Sequence, residues 1–198
     1  LIGVITSSDL VEVVGEEMGD DYAKLAGLTE AEDVNEPLGK SIAKRLPWLL
    51  ILLGLGLVVS SIINVFQTAV QAAQLIILYS FQSLILDMSG NTGTQSLAVT
   101  IRVLNEDAVS GKEKFKFILT EMRIGLTNGL IIGTLAFIAV GLYLTFMPGA
   151  LAATAPKYFG FEVSACIGIS LAAGMLMASL DGTLVPIFFK KIGIDPAV

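Results

Sequence analysis

The chain has 198 residues, of which 54% are hydrophobic and 15% are charged. Soluble domains of this size have about 45–50% apolar and about 25% charged residues, so the composition indicates a membrane protein. The net charge of −6 argues against a nucleic-acid partner. There is no histidine and a single cysteine, Cys166, which excludes an intramolecular disulfide, Ser-His-Asp catalysis and His-ligated metal sites. Oxygen ligands remain, and these suit Mg²⁺, Ca²⁺ or Mn²⁺.

The first 36 residues have the character of a soluble segment and carry ten of the 18 acidic residues. Residues 1–5 predict a short strand, and Asp9 with Glu12 has the spacing of a capping box. A helix is expected from Leu10 to Leu25. No signal peptide is visible, because the first apolar segment follows this acidic one.

Four apolar segments follow, each long enough to cross the roughly 30 Å hydrocarbon core of a bilayer. Pro37 begins an amphipathic run that leads into the first of them. The predicted spans cover residues 47–66, 75–104, 117–146 and 161–189. Asp195 and Pro196 are typical of a helix start, so a fifth span is expected beyond residue 198.

The distribution of basic residues predicts the orientation of the chain in the membrane. If the four spans alternate in direction across the membrane, eleven Lys and Arg residues lie on or near the same membrane side as the N-terminal segment. Lys157 is then the single basic residue on the opposite side. The N-terminal segment is therefore expected in the cytoplasm, with the protein in the cell membrane. Cys166 is interpreted as a small apolar residue on a buried helix.

The second span contains a polar sequence that is unusual for a lipid-facing helix. A carboxylate at the bilayer centre costs about 2.5–3.5 kcal/mol on insertion scales, so it normally faces protein or water. Helical spacing places five of these residues on one face, which predicts the lining of a narrow cation path: Asp87, Gly90, Asn91, Thr94 and Ala98. The alternative interpretation is an ordinary helix-packing seam of small residues.

Other acidic residues are open to two interpretations. Asp181 is a second intramembrane acid, and a satisfied polar residue near the membrane face is at least as good an interpretation as an ion ligand. Glu121 and Arg123 are expected at the interface, and Glu162 in a solvated loop.

The acidic residues of the N-terminal helix repeat at one-turn spacing. Glu12, Glu16 and Asp20 form one row, and Glu17 and Asp21 form the next. Like charges at this spacing repel, and bound divalent cations would relieve the repulsion. The alternative is a solvated acidic face.

Three sequence elements together resemble the MgtE magnesium channels. They are Gly90-Asn91-Thr92-Gly93-Thr94-Gln95 followed by Ile101-Arg102, Glu121 with Gly125, Gly129 and Gly133, and Gly182 to Pro186 followed by residues 191–197. The resemblance covers essentially the whole chain, and residues 1–14 look like the final strand and helix of a CBS domain.

The resemblance implies an all-α polytopic membrane protein that forms a homodimer with five spans per subunit. It implies a CBS remnant at 1–14, an acidic plug helix and juxtamembrane segment at 15–46, and a transmembrane domain at 47–198. Positions matching Asp87, Gly90, Thr94 and Ala98 would face the pore. Regulatory Mg²⁺ would bind the residues matching Glu17, Asp20, Asp21 and Asp195.

This chain departs from the family pattern at several positions. Many members have proline where it has Gln82, glycine where it has Ser89, and an apolar residue where it has Asp181. The family's main pore aspartate belongs to the fifth span.

The function expected is a Mg²⁺-selective, Mg²⁺-gated channel for magnesium uptake, and not an enzyme. A divalent-cation exchanger is the alternative within the same class. Two alternatives from other classes are an intramembrane aspartyl protease using Asp87 and Asp181, and a regulatory subunit without conduction of its own. Neither aspartate has the flanking residues of the protease family.

Overall fold

The computed structural model describes residues 3–29, 35–72, 76–105, 111–146 and 158–193, and within these ranges the chain is almost entirely helical, without a strand. The helices are α1 Ser7–Leu25, α2 Leu38–Ala72, α3 Gln82–Asn105, α4 Gly111–Phe146 and α5 Phe159–Lys191, with a 3₁₀ helix, Ile76–Phe81, before α3. The predicted all-α fold is confirmed. The strand predicted at residues 1–5 is wrong for residues 3–5, which have no regular structure.

Helix α1 begins at Ser7, three residues before the predicted start at Leu10, because Thr6 supplies the N-cap. The Thr6 hydroxyl accepts from the Asp9 N–H, and the Asp9 carboxylate accepts from the Thr6 N–H at 2.7 Å. The capping box therefore joins Thr6 to Asp9, and the predicted pairing of Asp9 with Glu12 is wrong. The Thr6 backbone donor, followed by its hydroxyl, holds the pKa of Asp9 below its ordinary value.

The described residues that follow α1 form a turn at Gly27 and contact the start of α2, and this region, residues 26–29 with the start of α2, is called the elbow. Gly27 has a φ of 77°, the left-handed conformation that often ends a helix. Its N–H donates to the Lys24 carbonyl at 2.8 Å, and the Leu28 N–H donates to the Ala23 carbonyl at 2.9 Å. The Thr29 N–H then donates to the Lys44 carbonyl of α2 at 3.2 Å, which ties the two helices together.

Helix α2 is a single element that includes both the amphipathic run and the first predicted span. Pro47 lies inside this helix, about two turns after Lys40. Because proline has no backbone N–H, one hydrogen bond of the helix is missing there. The helix continues through Gln67 and Gln71, where a connection was expected, and ends at Ala72.

Helices α3, α4 and α5 belong to one compact unit, whereas α1 and residues up to 67 belong to another. Within their unit, α3 and α4 both pack chiefly on α5 rather than on each other. The apolar core lies near one end and contains Val140, Leu144, Val163, Ile167 and Leu171. The glycines of α4 allow close packing on α5, since a Cβ on Gly129 would lie 2.9 Å from the Ala172 backbone.

Three of the helices are long and apolar enough to cross a membrane: α2, α4 and α5. They contain the first, third and fourth predicted spans. The second predicted span corresponds to the 3₁₀ helix followed by α3, which the polar residues from Asp87 to Gln95 make less apolar. With 24 residues α3 is about 36 Å long, enough to cross the hydrocarbon core. The count of four spans stays a prediction.

Candidate functional site

One side of α3 is buried and carries three hydroxyl groups. Thr92, Ser96 and Thr100 are 6%, 4% and 0% exposed. Thr92 and Thr100 donate to the carbonyls of Met88 and Ser96, one turn earlier, at 2.9 and 2.6 Å. Their polar atoms are thereby satisfied within α3, so this side can be buried against an apolar neighbour.

Ser96 takes part in a chain of hydrogen bonds that joins all three helices of this unit. The Ser179 hydroxyl of α5 donates to the Glu121 carbonyl of α4 at 2.9 Å. Since a hydroxyl has one proton, the Ser96 hydroxyl is the donor in its 2.9 Å contact with the Ser179 oxygen. This chain fixes the rotation of α3 relative to α5, and therefore determines which residues of α3 are left uncovered.

The opposite side of α3 is uncovered and holds the predicted path residues. All five are exposed: Asp87, Gly90, Asn91, Thr94 and Ala98. The Thr94 hydroxyl donates to the Asn91 carbonyl at 2.9 Å, which leaves its oxygen lone pairs available to an outside donor. The structure thus brings the five residues together on one face. The face combines a carboxylate, an amide, a hydroxyl and a gap at a glycine.

The two glycines of this region differ in their surroundings. A Cβ at Gly93 would lie 3.4 Å from the Ala178 carbonyl oxygen of α5, whereas a Cβ at Gly90 would meet nothing within 4 Å. Gly93 therefore belongs to a packing seam, and Gly90 belongs to the uncovered face. The packing interpretation therefore applies to the Gly93 side of α3, and the cation path along the Gly90 side stays a prediction.

The predicted regulatory residues are only partly described. Glu17, Asp20 and Asp21 lie in the second half of α1, Asp20 with an exposed side chain, and Asp195 lies outside the described residues. Among the described residues, no group of three or more Asp, Glu or Cys side chains is close enough to hold a metal ion. An ion beside Asp87 would therefore need water or groups from elsewhere to complete its coordination.

One sequence interpretation needs correction, and another stays a prediction. Glu121 is only 6% exposed, because its position one turn before Gly125 turns it towards α5, and its expected depth at the membrane interface stays a prediction. Cys166 was expected on a buried face, but it is exposed on α5. Arg123, Glu162 and Asp181 are exposed, and Glu162 lies in the first turn of α5 rather than in a loop.

Sequence reasoning missed two exposed amides close to the predicted face. Gln95 lies one turn beyond Asn91 on α3, and Asn128 lies near the middle of α4. The signal for Gln95 was its spacing of four and eight residues from Asn91 and Asp87. For Asn128 the signal was an uncharged amide in the centre of an apolar segment.

Long apolar helices, glycine-mediated helix packing and a polar face on one central helix define the class of protein. The chain is a polytopic helical membrane protein.

Comparison with known proteins gives the family. Residues 82–198 match the MgtE family model, described as "Divalent cation transporter". The chain is 36% identical over 198 residues to the magnesium transporter MgtE of Enterococcus faecalis and 33% identical over 200 residues to that of Bacillus subtilis. It is 30% identical over 201 residues to the magnesium transporter MgtE of Thermus thermophilus. All of this chain is covered in each comparison, and it spans 40–41% of the length of these relatives. The chain belongs to the MgtE family.

Proposed function

We propose that the protein containing this chain conducts Mg²⁺ across the cell membrane as a Mg²⁺-selective, Mg²⁺-gated channel for magnesium uptake. Its relatives are named magnesium transporters. The observation that carries the proposal is the uncovered face of α3, where Asp87 lies one turn before Asn91 and two turns before Thr94. A carboxylate attracts the cation, and small polar groups leave room for the waters that Mg²⁺ gives up reluctantly.

The active form is a homodimer in which the two α3 helices face a common path. Asp87 is exposed, and it belongs to no cluster of three or more acidic side chains among the described residues. A second copy brings a second Asp87 and removes both carboxylates from contact with lipid. Light scattering of the complete protein in detergent tests this assembly, because a monomer that still transports Mg²⁺ would contradict it.

The N-terminal segment lies in the cytoplasm and carries the gate. At low Mg²⁺ the carboxylates of Glu17, Asp20 and Asp21 repel, whereas at high Mg²⁺ bound ions bridge α1 to the region of Asp195 and hold the path closed. The ions shift the gate only by their difference in affinity for the closed and open states, so several weak sites are needed for a sharp response.

Recording from planar bilayers that contain the complete protein tests conduction directly. We expect unitary Mg²⁺ currents, whereas a coupled exchanger would give Mg²⁺ flux without them. The absence of both currents and Mg²⁺ flux would contradict the proposed function.

The same recordings test the gate. Replacement of Glu17, Asp20 and Asp21 by Ala is expected to leave the unitary current unchanged and to remove inhibition by cytoplasmic Mg²⁺. Glu12→Ala is the matched control, since Glu12 shares the helix but lies further from its C-terminal end. If the triple variant is inhibited by the same Mg²⁺ concentrations as the parent, these acidic residues have no role in gating and only form a solvated face of the helix.

A further inference from the structure

A cleft lined by amide groups among apolar side chains separates α3 from α4. Because both helices pack on α5, they leave a space of about 260 Å³ between them, with Met175 of α5 among its lining residues. The α3 wall presents Asn91 and Gln95, and the α4 wall presents Asn128. Amides thus occur on both walls of one cleft.

The cleft lies deep in the apolar part of the protein. Asn128 is 17 residues from Gly111 and 18 residues from Phe146, the two ends of α4. At about 1.5 Å per residue, the part of α4 on each side of Asn128 is roughly 26 Å long. That length exceeds half the thickness of the hydrocarbon core. Asn91 and Gln95 flank the midpoint of α3, Gln82–Asn105. The three amides therefore lie well away from both membrane interfaces.

None of these amides forms a side-chain hydrogen bond within the described part of the chain, and all three are exposed. Contact with lipid would leave each carboxamide without a partner, which is strongly unfavourable in hydrocarbon. The cleft therefore requires water or a polar group. Asn91 also belongs to the uncovered face that contains Asp87, so the cleft opens sideways from that face.

We propose that Asn128 is a specificity-determining residue of the ion path, whose amide contacts the water shell of a passing hydrated divalent cation. This rests on the proposed function and extends the path from α3 alone to a channel wall that includes α4. Water bound to a cation directs its hydrogen atoms outwards, so the shell needs acceptors. The side-chain amide oxygens of Asn91, Gln95 and Asn128 are neutral acceptors, so they can bind the waters around the ion without removing those waters from it.

The first test measures flux in liposomes that contain the complete protein. Asn128→Leu, similar in size but without hydrogen-bonding groups, is expected to lower Mg²⁺ flux by about two- to tenfold, the loss expected for one hydrogen bond. It is also expected to change the ratio of Mg²⁺ to Ca²⁺ flux. Asn64→Leu makes the same change on the exposed surface of α2 and is expected to leave both quantities unchanged.

The second test does not depend on transport. Asn128→Cys, in a protein with Cys166→Ala and any other cysteines replaced, is treated with a membrane-impermeant cationic thiol reagent. Modification at a rate that Mg²⁺ slows is the expected result. A thiol that the reagent cannot reach would show that the cleft is filled by a helix or is dry, and a rate independent of Mg²⁺ would place the ion elsewhere.

The outcomes separate the two levels of inference. Parental flux and selectivity in Asn128→Leu, with flux lost in Asp87 variants, would overturn the role of Asn128 and leave the proposed function standing. Parental flux in the Asp87 variants would overturn the path along α3 itself.

Discussion

Single residues on the seam between α3 and α5 determine which side of α3 is uncovered. A Cβ at Gly182 of α5 would collide with the Gly93 carbonyl of α3 and would lie 3.1 Å from the Leu97 nitrogen. Backbone atoms cannot rotate away as a side chain can, so this position requires glycine for close approach. The hydroxyl chain through Ser96 and Ser179 depends on the same approach.

Gly182→Ala is therefore expected to destabilise the protein by about 1–3 kcal/mol, the usual range for an overpacked core. Thermal unfolding of the complete protein in detergent measures the effect. Gly90→Ala is the matched control, because a Cβ there meets nothing within 4 Å, and its melting temperature is expected to equal or exceed that of the parent. Equal melting temperatures for the two variants would show that the seam tolerates a methyl group.

Helical periodicity was sufficient to predict that Asp87, Gly90, Asn91, Thr94 and Ala98 share a face, because that depends only on α3 itself. Which glycine packs and which stays open could not be predicted. Gly93 and Gly90 differ only in where α5 crosses α3, and that crossing depends on residues about 80 positions away, such as Ala178. The burial of Glu121 was missed for the same reason.

At the scale of whole elements, two shielded ion pairs hold the start of α2 together, and one of their lysines, Lys44, also accepts the Thr29 N–H of the elbow through its carbonyl. Glu36 Oε1 accepts from Lys40 Nζ at 3.0 Å and from Lys44 Nζ at 2.9 Å. The Glu36 side chain is only 6% exposed, and the hydrogen bond from Lys44, followed by that from Lys40, holds the pKa of Glu36 below its ordinary value. The lengths of the apolar segments in the sequence were sufficient to predict the long helices. The elbow could not be predicted in this way, because it depends on contacts between particular side chains that a repeating pattern does not show.

Glu36→Gln is expected to loosen the elbow, because the amide keeps the shape of the carboxylate and loses its charge. Hydrogen exchange of the Thr29 N–H, which donates to the Lys44 carbonyl, should become faster. Because the folded-state pKa of Glu36 is lowered, the pair stabilises the elbow at neutral pH, and its contribution is lost as pH falls through that pKa. Acid should therefore reproduce the effect of the variant. Glu12→Gln is the control, and equal exchange in all three proteins would exclude this role.

At the scale of the molecule, the arrangement of α3, α4 and α5 supports the proposed route for a cation through an apolar protein. α5 packs against both neighbours, so α3 can present a carboxylate and amides away from the bundle. The hydroxyl groups on the buried side of α3 already have hydrogen-bond partners within the protein. Asp87 on the uncovered side has none of this protection, so its carboxylate needs water or a second copy of the protein beside it. The chain spans 40–41% of the length of these relatives.

The central claim is that Mg²⁺ passes beside Asp87, and Mg²⁺ flux in liposomes of the complete protein tests it most directly. Asp87→Asn and Asp87→Ala are both expected to lower flux by at least about tenfold, which corresponds to about 1.4 kcal/mol of lost attraction. Folding should survive in both, since removing an intramembrane charge relieves a desolvation penalty. Asp181→Asn, which removes an exposed carboxylate from α5, should keep parental flux. Parental flux in both Asp87 variants would contradict the claim.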